Sequence, residues 1–265
     1  MQLTDGQMAA FERDGYLFLP ELFSAEEIAV LMGDMPRIWA MQRPEVLRAD
    51  DGEVRACLAM ERYSEPFRWL LSHPRLLEPA LQILGGPLYA HQYKVIPKEP
   101  FGKLDFPWHQ DFASWHAHDG MPEPRAMNFA LFMDAVTEFN GPICFIPGSH
   151  RDGRMDAEAE PLPGATPLLT LSPEDVSRLA ETNGIVAPKG PAGSGVFFHG
   201  CLAHASAPNI SPWTRHIVYL TCNRVDNAIA KPTRPDYYAN QDFTPLELLA
   251  DDCLLELARG TDAAE

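Results

Sequence analysis

At Gly85-Gly86-Pro87 the chain changes texture, and that change restricts its fold more than any other feature. Two glycines followed by a proline cannot continue a helix or a central strand. Upstream the pattern is largely helical. Thr4 is placed to cap a short helix through Phe11 and Arg13, and Gly15 ends it before the strand-like Tyr16-Leu-Phe-Leu19. Ser24-Ala-Glu-Glu27 is a capping box, opening a helix with apolar Ile28, Val30, Leu31 and Met35. A third helical stretch, 76–84, stops at the glycine pair. Downstream, short β-rich runs predict strands at 88–96, 126–136, 143–146, 195–202 and 216–225. Turn residues separate them: Asn140-Gly-Pro142, Pro147-Gly-Ser149, Lys189-Gly-Pro191 and the stretch 208–212. One capped helix, from Ser172 to Asn183, is inserted between strands, and an amphipathic helix near 246–257 is expected in the tail. Helices followed by many short strands predict an α+β fold around a β-sandwich or jelly roll. With no biased linker and no internal repeat, residues 1–265 read as one domain. Its parts are a helical portion (1–86), a β core (87–227) and a tail (228–265).

Charge and composition exclude several function classes. A net charge of -16 opposes nucleic-acid phosphates and anionic membrane surfaces. No apolar run approaches the roughly 20 residues that cross a bilayer. The N-terminus lacks the basic and apolar regions of an export signal, so a cytoplasmic setting is expected. Five cysteines (57, 144, 201, 222 and 253) form no Cys-x-x-Cys pair, which predicts reduced thiols rather than a zinc or disulfide framework.

The stretch from Phe106 to His116, Phe-Pro-Trp-His-Gln-Asp-Phe-Ala-Ser-Trp-His, places His109 and Asp111 two positions apart. On a strand such side chains share a face. His204 lies in a comparable polar setting far downstream. Two histidines and one carboxylate, with open positions opposite, form the ligand set of non-heme Fe(II) oxygenases. Ser206 and Arg215 follow His204. A guanidinium grips a carboxylate through paired hydrogen bonds and a hydroxyl adds another, which suits the distal carboxylate of 2-oxoglutarate.

The chain resembles the phytanoyl-CoA dioxygenase family of Fe(II)/2-oxoglutarate oxygenases, and within it the ectoine hydroxylases. The matching residues are those from Trp108 to His116, Asp119-Gly-Met-Pro122, Asn140-Gly-Pro142, Ile146-Pro-Gly-Ser-His150, Gly184-Ile-Val-Ala-Pro188, His204-Ala-Ser206 and Asn209-Ile-Ser-Pro212 with Arg215. The resemblance implies a double-stranded β-helix of the cupin or jelly-roll type. It implies His109, Asp111 and His204 as iron ligands, with Arg215 and Ser206 as 2-oxoglutarate contacts. Lys94 is a further candidate for the cosubstrate. Gln92, Trp115, Phe198 and Tyr219 fall where ectoine hydroxylases line their substrate pocket, and Asn128 occupies another such position. The chain departs from those enzymes at Ile217 and Ile96, where asparagine is usual, and at Asn128, where serine is. A small zwitterion other than ectoine is therefore expected: an amino acid, compatible solute or aminophosphonate. The aromatic side chains would cradle its ammonium, and Arg125, His116 and His118 its acid group if they face inward.

The expected reaction uses Fe(II), 2-oxoglutarate and O2, releases succinate and CO2, and hydroxylates an unactivated C–H bond. Asp111 speaks against halogenation, which needs a small residue in its place. The alternatives are a non-catalytic metal- or ligand-binding β-helix, a zinc hydrolase, and an oxygenase acting on a larger acyl or natural-product substrate. Beyond a small-molecule substrate no partner is expected, and the protein is expected as a monomer or homodimer.

Overall fold

The computed structural model describes residues 1–49, 52–160 and 167–262. Helix α1 (Asp5–Asp14) carries the Thr4 cap and ends at Gly15, whose φ of 78° is costly for any other residue. Strand β1 (Tyr16–Leu19) follows, then α2 (Ala25–Trp39) with both halves of the Ser24–Glu27 capping box formed. The portion expected to be helical apart from Tyr16–Leu19 contains two more strands, β2 (Val46–Arg48) and β3 (Val54–Leu58), before helices α3 (Glu65–Leu71) and α4 (Pro74–Leu84). These strands are short and lie at a sheet edge, so little periodicity announces them.

After the glycine pair come β4 (Leu88–Lys98), β5 (Phe106–His109), the single turn α5 (Asp111–Ser114) and a π-helical turn at Trp115–Asp119. Then follow β6 (Ala126–Phe132), β7 (Cys144–Phe145), β8 (Glu158–Glu160) and β9 (Leu168–Thr170). The inserted helix α6 (Pro173–Asn183) precedes β10 (Gly195–His199), β11 (His204–Ser206) and β12 (Arg215–Arg224). The last helix, α7 (Cys253–Asp262), starts later than expected. Leu246 and Leu249 instead donate their backbone N–H groups to Leu88 and Ser72, which ties that stretch to β4 and to the residue after α3.

The strands form two antiparallel sheets, ordered β1-β10-β6-β12-β4-β3-β2 and β7-β11-β5-β9-β8. One face of the larger sheet, with Leu17, Val95, Phe129, Leu131, Phe197, Val218 and Leu220, packs on helices α2, α3 and α4. Its opposite face looks toward the smaller sheet, giving the expected double-stranded β-helix. Strands β4 and β12 pair in long register, Lys98 with Arg215, Ile96 with Ile217, Lys94 with Tyr219 and Gln92 with Thr221. Because side chains alternate along a strand, all eight occupy that inner face. The five cysteines are free thiols, and no helix among the described residues is long and apolar enough to cross a membrane.

Candidate active site

Strand β5 ends at His109, and the backbone stays extended through Gln110 before turning into α5. Asp111 therefore opens a helical turn instead of continuing the strand, as the spacing alone suggested. The reason is local: Phe112 N–H bonds the Gly200 carbonyl at 2.9 Å and draws the chain out of the ladder. The extended Gln110 still lets both side chains converge. His204 opens β11 directly opposite His109, with ring centroids 4.0 Å apart. Asp111 Oδ1 lies 3.7 Å from His109 Nε2, and its Oδ2 lies 3.5 Å from His204 Nε2.

Both imidazoles are oriented from behind. His109 Nδ1 lies 2.7 Å from the Pro107 carbonyl and His204 Nδ1 2.9 Å from that of Leu202. Carbonyls only accept, so each Nδ1 carries the proton and each Nε2 presents a lone pair to the shared centre. Burial, reinforced by His204, pushes His109 down to about 3, which keeps it neutral. Burial raises the Asp111 carboxyl, but His204, Lys94, His109 and a hydrogen bond from Asn128 outweigh that and hold it below the usual range. Two imidazole nitrogens and a carboxylate, with ligand atoms within 4.8 Å of one another, fit a facially coordinated Fe(II).

Asn128 was expected among the substrate contacts, and in the structure its amide bonds the candidate metal ligand Asp111. Its Nδ2 donates to Asp111 Oδ2 at 2.7 Å, and its Oδ1 accepts from the Thr221 hydroxyl at 2.6 Å. Both ends of the amide are committed to holding the carboxylate. Phe198 was expected there as well. It stands edge-on to the His204 ring at 5.1 Å and against Phe145 at 5.2 Å, backing a metal ligand.

Arg215 begins β12 and is fully buried. Nη2 donates to the Gly141 carbonyl at 2.6 Å and Nε to that of Asn140 at 3.4 Å, while the buried Nη1 has no partner. Lys98, opposite it in register, donates to Ser206 Oγ at 2.8 Å and also to the Ala207 carbonyl. An ammonium cannot accept, so Ser206 must, and its own O–H remains available to a ligand. Burial, with Arg215 nearby, lowers Lys98 to about 7. An unsatisfied guanidinium nitrogen, a free hydroxyl proton and a second cation fit the distal carboxylate of 2-oxoglutarate. Sequence reading missed Lys98. The signal was the alternation Gln92, Lys94, Ile96, Lys98, which puts it on the face already assigned to the site.

Gln92, Lys94 and Trp115 border a cavity of about 720 Å³ together with His109 and Asp111. Trp115 Nε1 donates to Gln92 Oε1 at 3.2 Å. The Lys94 ammonium, 5.7 Å from the centroid of Tyr219, has no hydrogen bond or ion pair among the described residues. It lies on the strand face toward the site and is partly buried, and burial pushes it below the ordinary lysine value. Tyr219 follows Arg215 along the inner face, between the anchor and Asn128 (Arg215 opens β12, and Thr221 holds the Asn128 amide). Arg125 is paired with Glu123 and Asp226, and neither it nor His116 nor His118 borders the cavity. Ser114, Arg234, Tyr237 and Tyr238 do border it, and sequence reading named none of them.

The family description "Phytanoyl-CoA dioxygenase (PhyH)" matches residues 11–217. The chain belongs to the phytanoyl-CoA dioxygenase family. Among curated members of known activity, L-proline trans-4-hydroxylase of Streptomyces griseoviridis is 38% identical, covering 89% of this chain and 92% of its own length. The ectoine dioxygenase of Nocardia farcinica is 33% identical over 91% of this chain and 86% of its own. EctD from S. alaskensis, solved with 2-oxoglutarate and 5-hydroxyectoine, is 32% identical with a TM-score of 0.79, covering 94% of this chain and 86% of that one. The same protein has also been solved with bound Fe. This dioxygenase thus takes Fe(II) as its metal and 2-oxoglutarate as cosubstrate, and it hydroxylates a small polar compound.

Proposed function

We propose that the substrate is a free α-amino or α-imino acid of the proline class, hydroxylated on an unactivated carbon. The observation that carries this reading is Lys94, an uncommitted ammonium on the wall of a cavity that also contains His109 and Asp111. A cation with no ion-pair or hydrogen-bond partner among the described residues suits an anionic ligand, and the cavity has ample room for a small carboxylate. The 38% identity to an L-proline hydroxylase supports the same class.

When bound, Fe(II) with 2-oxoglutarate and O2 supplies the oxidising power, and 2-oxoglutarate leaves as succinate and CO2. His109, Asp111 and His204 hold the metal on one side only. Asn128 fixes the carboxylate, and the carbonyls of Pro107 and Leu202 fix the imidazoles. Arg215 and Ser206 seat the distal carboxylate, with Lys98 orienting Ser206. Ile96 and Ile217, directly paired between the Lys98–Arg215 and Lys94–Tyr219 rungs, form an apolar step between the proposed anchor and Lys94, and Ile96 also borders the cavity. Their departure from ectoine hydroxylases bears on cosubstrate seating, and substrate choice falls to the cavity wall around Lys94. Trp115 and Gln92 shape that wall and keep water from the reacting carbon.

The thiols fit a reducing cytoplasm: burial pushes Cys57, Cys201 and Cys222 up to about 12, so they are poor nucleophiles and poor ligands there. The test offers the Fe(II)-reconstituted enzyme L-proline, ectoine and an acyl-CoA separately, with 2-oxoglutarate and O2. Succinate release and gain of one oxygen atom by mass spectrometry should be greatest with L-proline. Preference for ectoine or the acyl-CoA would overturn the reading.

A further inference from the structure

The stretch that follows β12 lies outside the part of the chain matched to the family, yet it closes the cavity. After a 3-10 turn at Val225–Asn227 it has no regular structure until α7, so side chains and loop hydrogen bonds must fix its path. Arg234 is the main clamp. Its Nε donates to Asp119 Oδ1 at 2.7 Å and its Nη2 bonds Oδ2 of the same carboxylate. Asp119 is fully buried and also meets His91 Nε2 at 3.1 Å, and the His91 ring packs edge-on against Trp115 at 5.7 Å. Thr233 N–H and Oγ1 both donate to the His118 carbonyl, at 2.7 and 2.9 Å. Arg62 holds Asp236 from the other side, 2.8 Å to Oδ2. Asn240 N–H reaches the His91 carbonyl at 2.9 Å and its Nδ2 that of Ala90 at 2.8 Å.

This many ties, on a segment with no ladder of its own, set Tyr238 against the apolar cluster of Ala56, Leu58 and Ile96, with its ring 5.4 Å from that of Tyr237. The Tyr238 hydroxyl is shielded from solvent and has no hydrogen-bond partner, and the same holds for Ser114 Oγ. Both residues border the cavity that contains Lys94. Buried hydroxyls left unsatisfied are uncommon, and each is destabilising until a ligand or water bonds it.

We propose that residues 228–240 form the specificity wall of this enzyme, with Arg234 positioning it on Asp119 and the hydroxyls of Tyr238 and Ser114 recognising the substrate's nitrogen. The assignment rests on the amino-acid reading above and deepens it. Lys94 takes the carboxylate, while the two hydroxyls accept from the N–H groups of the substrate's primary or secondary ammonium. Each end of a zwitterion then meets a group that was unpaired without it. A site built to bond a polar group rejects analogues lacking it far more strongly than an apolar pocket rejects a missing methylene.

The experiment compares wild type with Tyr238→Phe, which removes one oxygen and keeps the ring that packs the wall. Binding of L-proline, L-pipecolate and ectoine is measured anaerobically by equilibrium dialysis on the Fe(II)- and 2-oxoglutarate-loaded proteins, and 2-oxoglutarate binding is measured alongside. The L-proline dissociation constant should rise at least tenfold in Tyr238→Phe, with the 2-oxoglutarate constant unchanged within twofold. In turnover, KM for L-proline should rise while kcat falls little, and the share of 2-oxoglutarate consumed without hydroxylation should grow. Ser114→Ala should act in the same direction. Arg234→Lys should fall between wild type and Tyr238→Phe, and Arg234→Gln below that. L-proline binding unchanged in both hydroxyl variants overturns the wall and leaves the amino-acid reading standing. A wild type that binds none of the three probes overturns that reading, and the wall with it.

Discussion

Asp111 is the residue on which metal retention turns. Its two oxygens face the two imidazoles and one of them accepts from Asn128. Asp111→Ala should abolish hydroxylation with a near-native circular dichroism spectrum and little retained iron; normal activity there would remove the basis of the metal site. Asn128→Ala frees the carboxylate and leaves the Thr221 hydroxyl unpaired, so iron affinity should fall by about 10–100-fold in an anaerobic titration. Arg215→Ala deletes a buried charge-assisted contact, and 2-oxoglutarate binding should weaken by about 2–5 kcal/mol. Lys98 adds a pH dependence. It is protonated below about pH 7 and neutral above it. An anion seated beside it favours the protonated form, so binding should take up a proton and affinity should decline as pH rises through 7. Calorimetry in buffers of different ionisation enthalpy reads that proton, and Lys98→Met should abolish it. In the cosubstrate-free protein the sign for stability follows the same group. Unfolding returns Lys98 to its ordinary 10.5, so the unfolded chain holds more protons between about 7 and that value, and stability increases with pH across the window. The triad was legible because chemistry restricts which residue types gather round a metal, and the structure brings those three together. Asn128 was read as a substrate contact, since an amide serves a substrate or a neighbouring carboxylate equally well. Ser114 and Tyr238 carried no signal, because a lone hydroxyl in sequence says nothing of its partners.

The connection from β6 to β7 positions Arg215, the proposed cosubstrate anchor. Asn140 accepts from Thr137 N–H and donates to the Ala135 carbonyl, which locks the turn, and the carbonyls of Asn140 and Gly141 then orient Arg215. Gly141 has φ of +71°, and a Cβ there would stand 2.5 Å from the Ala207 carbonyl oxygen and 2.8 Å from Lys98 Cδ. Gly141→Ala should therefore raise the 2-oxoglutarate dissociation constant while iron binding stays close to normal. Equal loss of both would mean that the turn supports the whole core and not the anchor. The longer elements were readable from periodicity and caps, as with Thr4 and Ser24. Strands β2 and β3 were not, because a strand of three to five residues has too few alternations to stand out. The last helix was misplaced because its apolar spacing extends back into a stretch whose backbone N–H groups are claimed by β4 and the end of α3.

For the molecule as a whole, metal and cosubstrate act as ligands of the native state. At about 1,000 times its dissociation constant a ligand adds about 4 kcal/mol to stability. Fe(II) with 2-oxoglutarate should therefore raise the melting temperature, a chelator should reverse the gain, and Arg215→Ala should lose the 2-oxoglutarate share alone. Calorimetry with and without each ligand separates the two shares. The acidic composition and the helices-then-strands order were plain from the sequence and led to the right architecture. The route of the tail was not, because it is fixed by contacts such as Arg234 with Asp119, across a separation that no local pattern reports. The pairing of His109 with His204 has one more consequence. They meet only as cross-strand neighbours, and the strands that bring them together are separated by most of the β core. Pairing strands so far apart in sequence means closing a long loop before their contacts can form. Until β5 and β11 have paired, the two imidazoles are not one centre, so tight iron capture is coupled to closure of the smaller sheet.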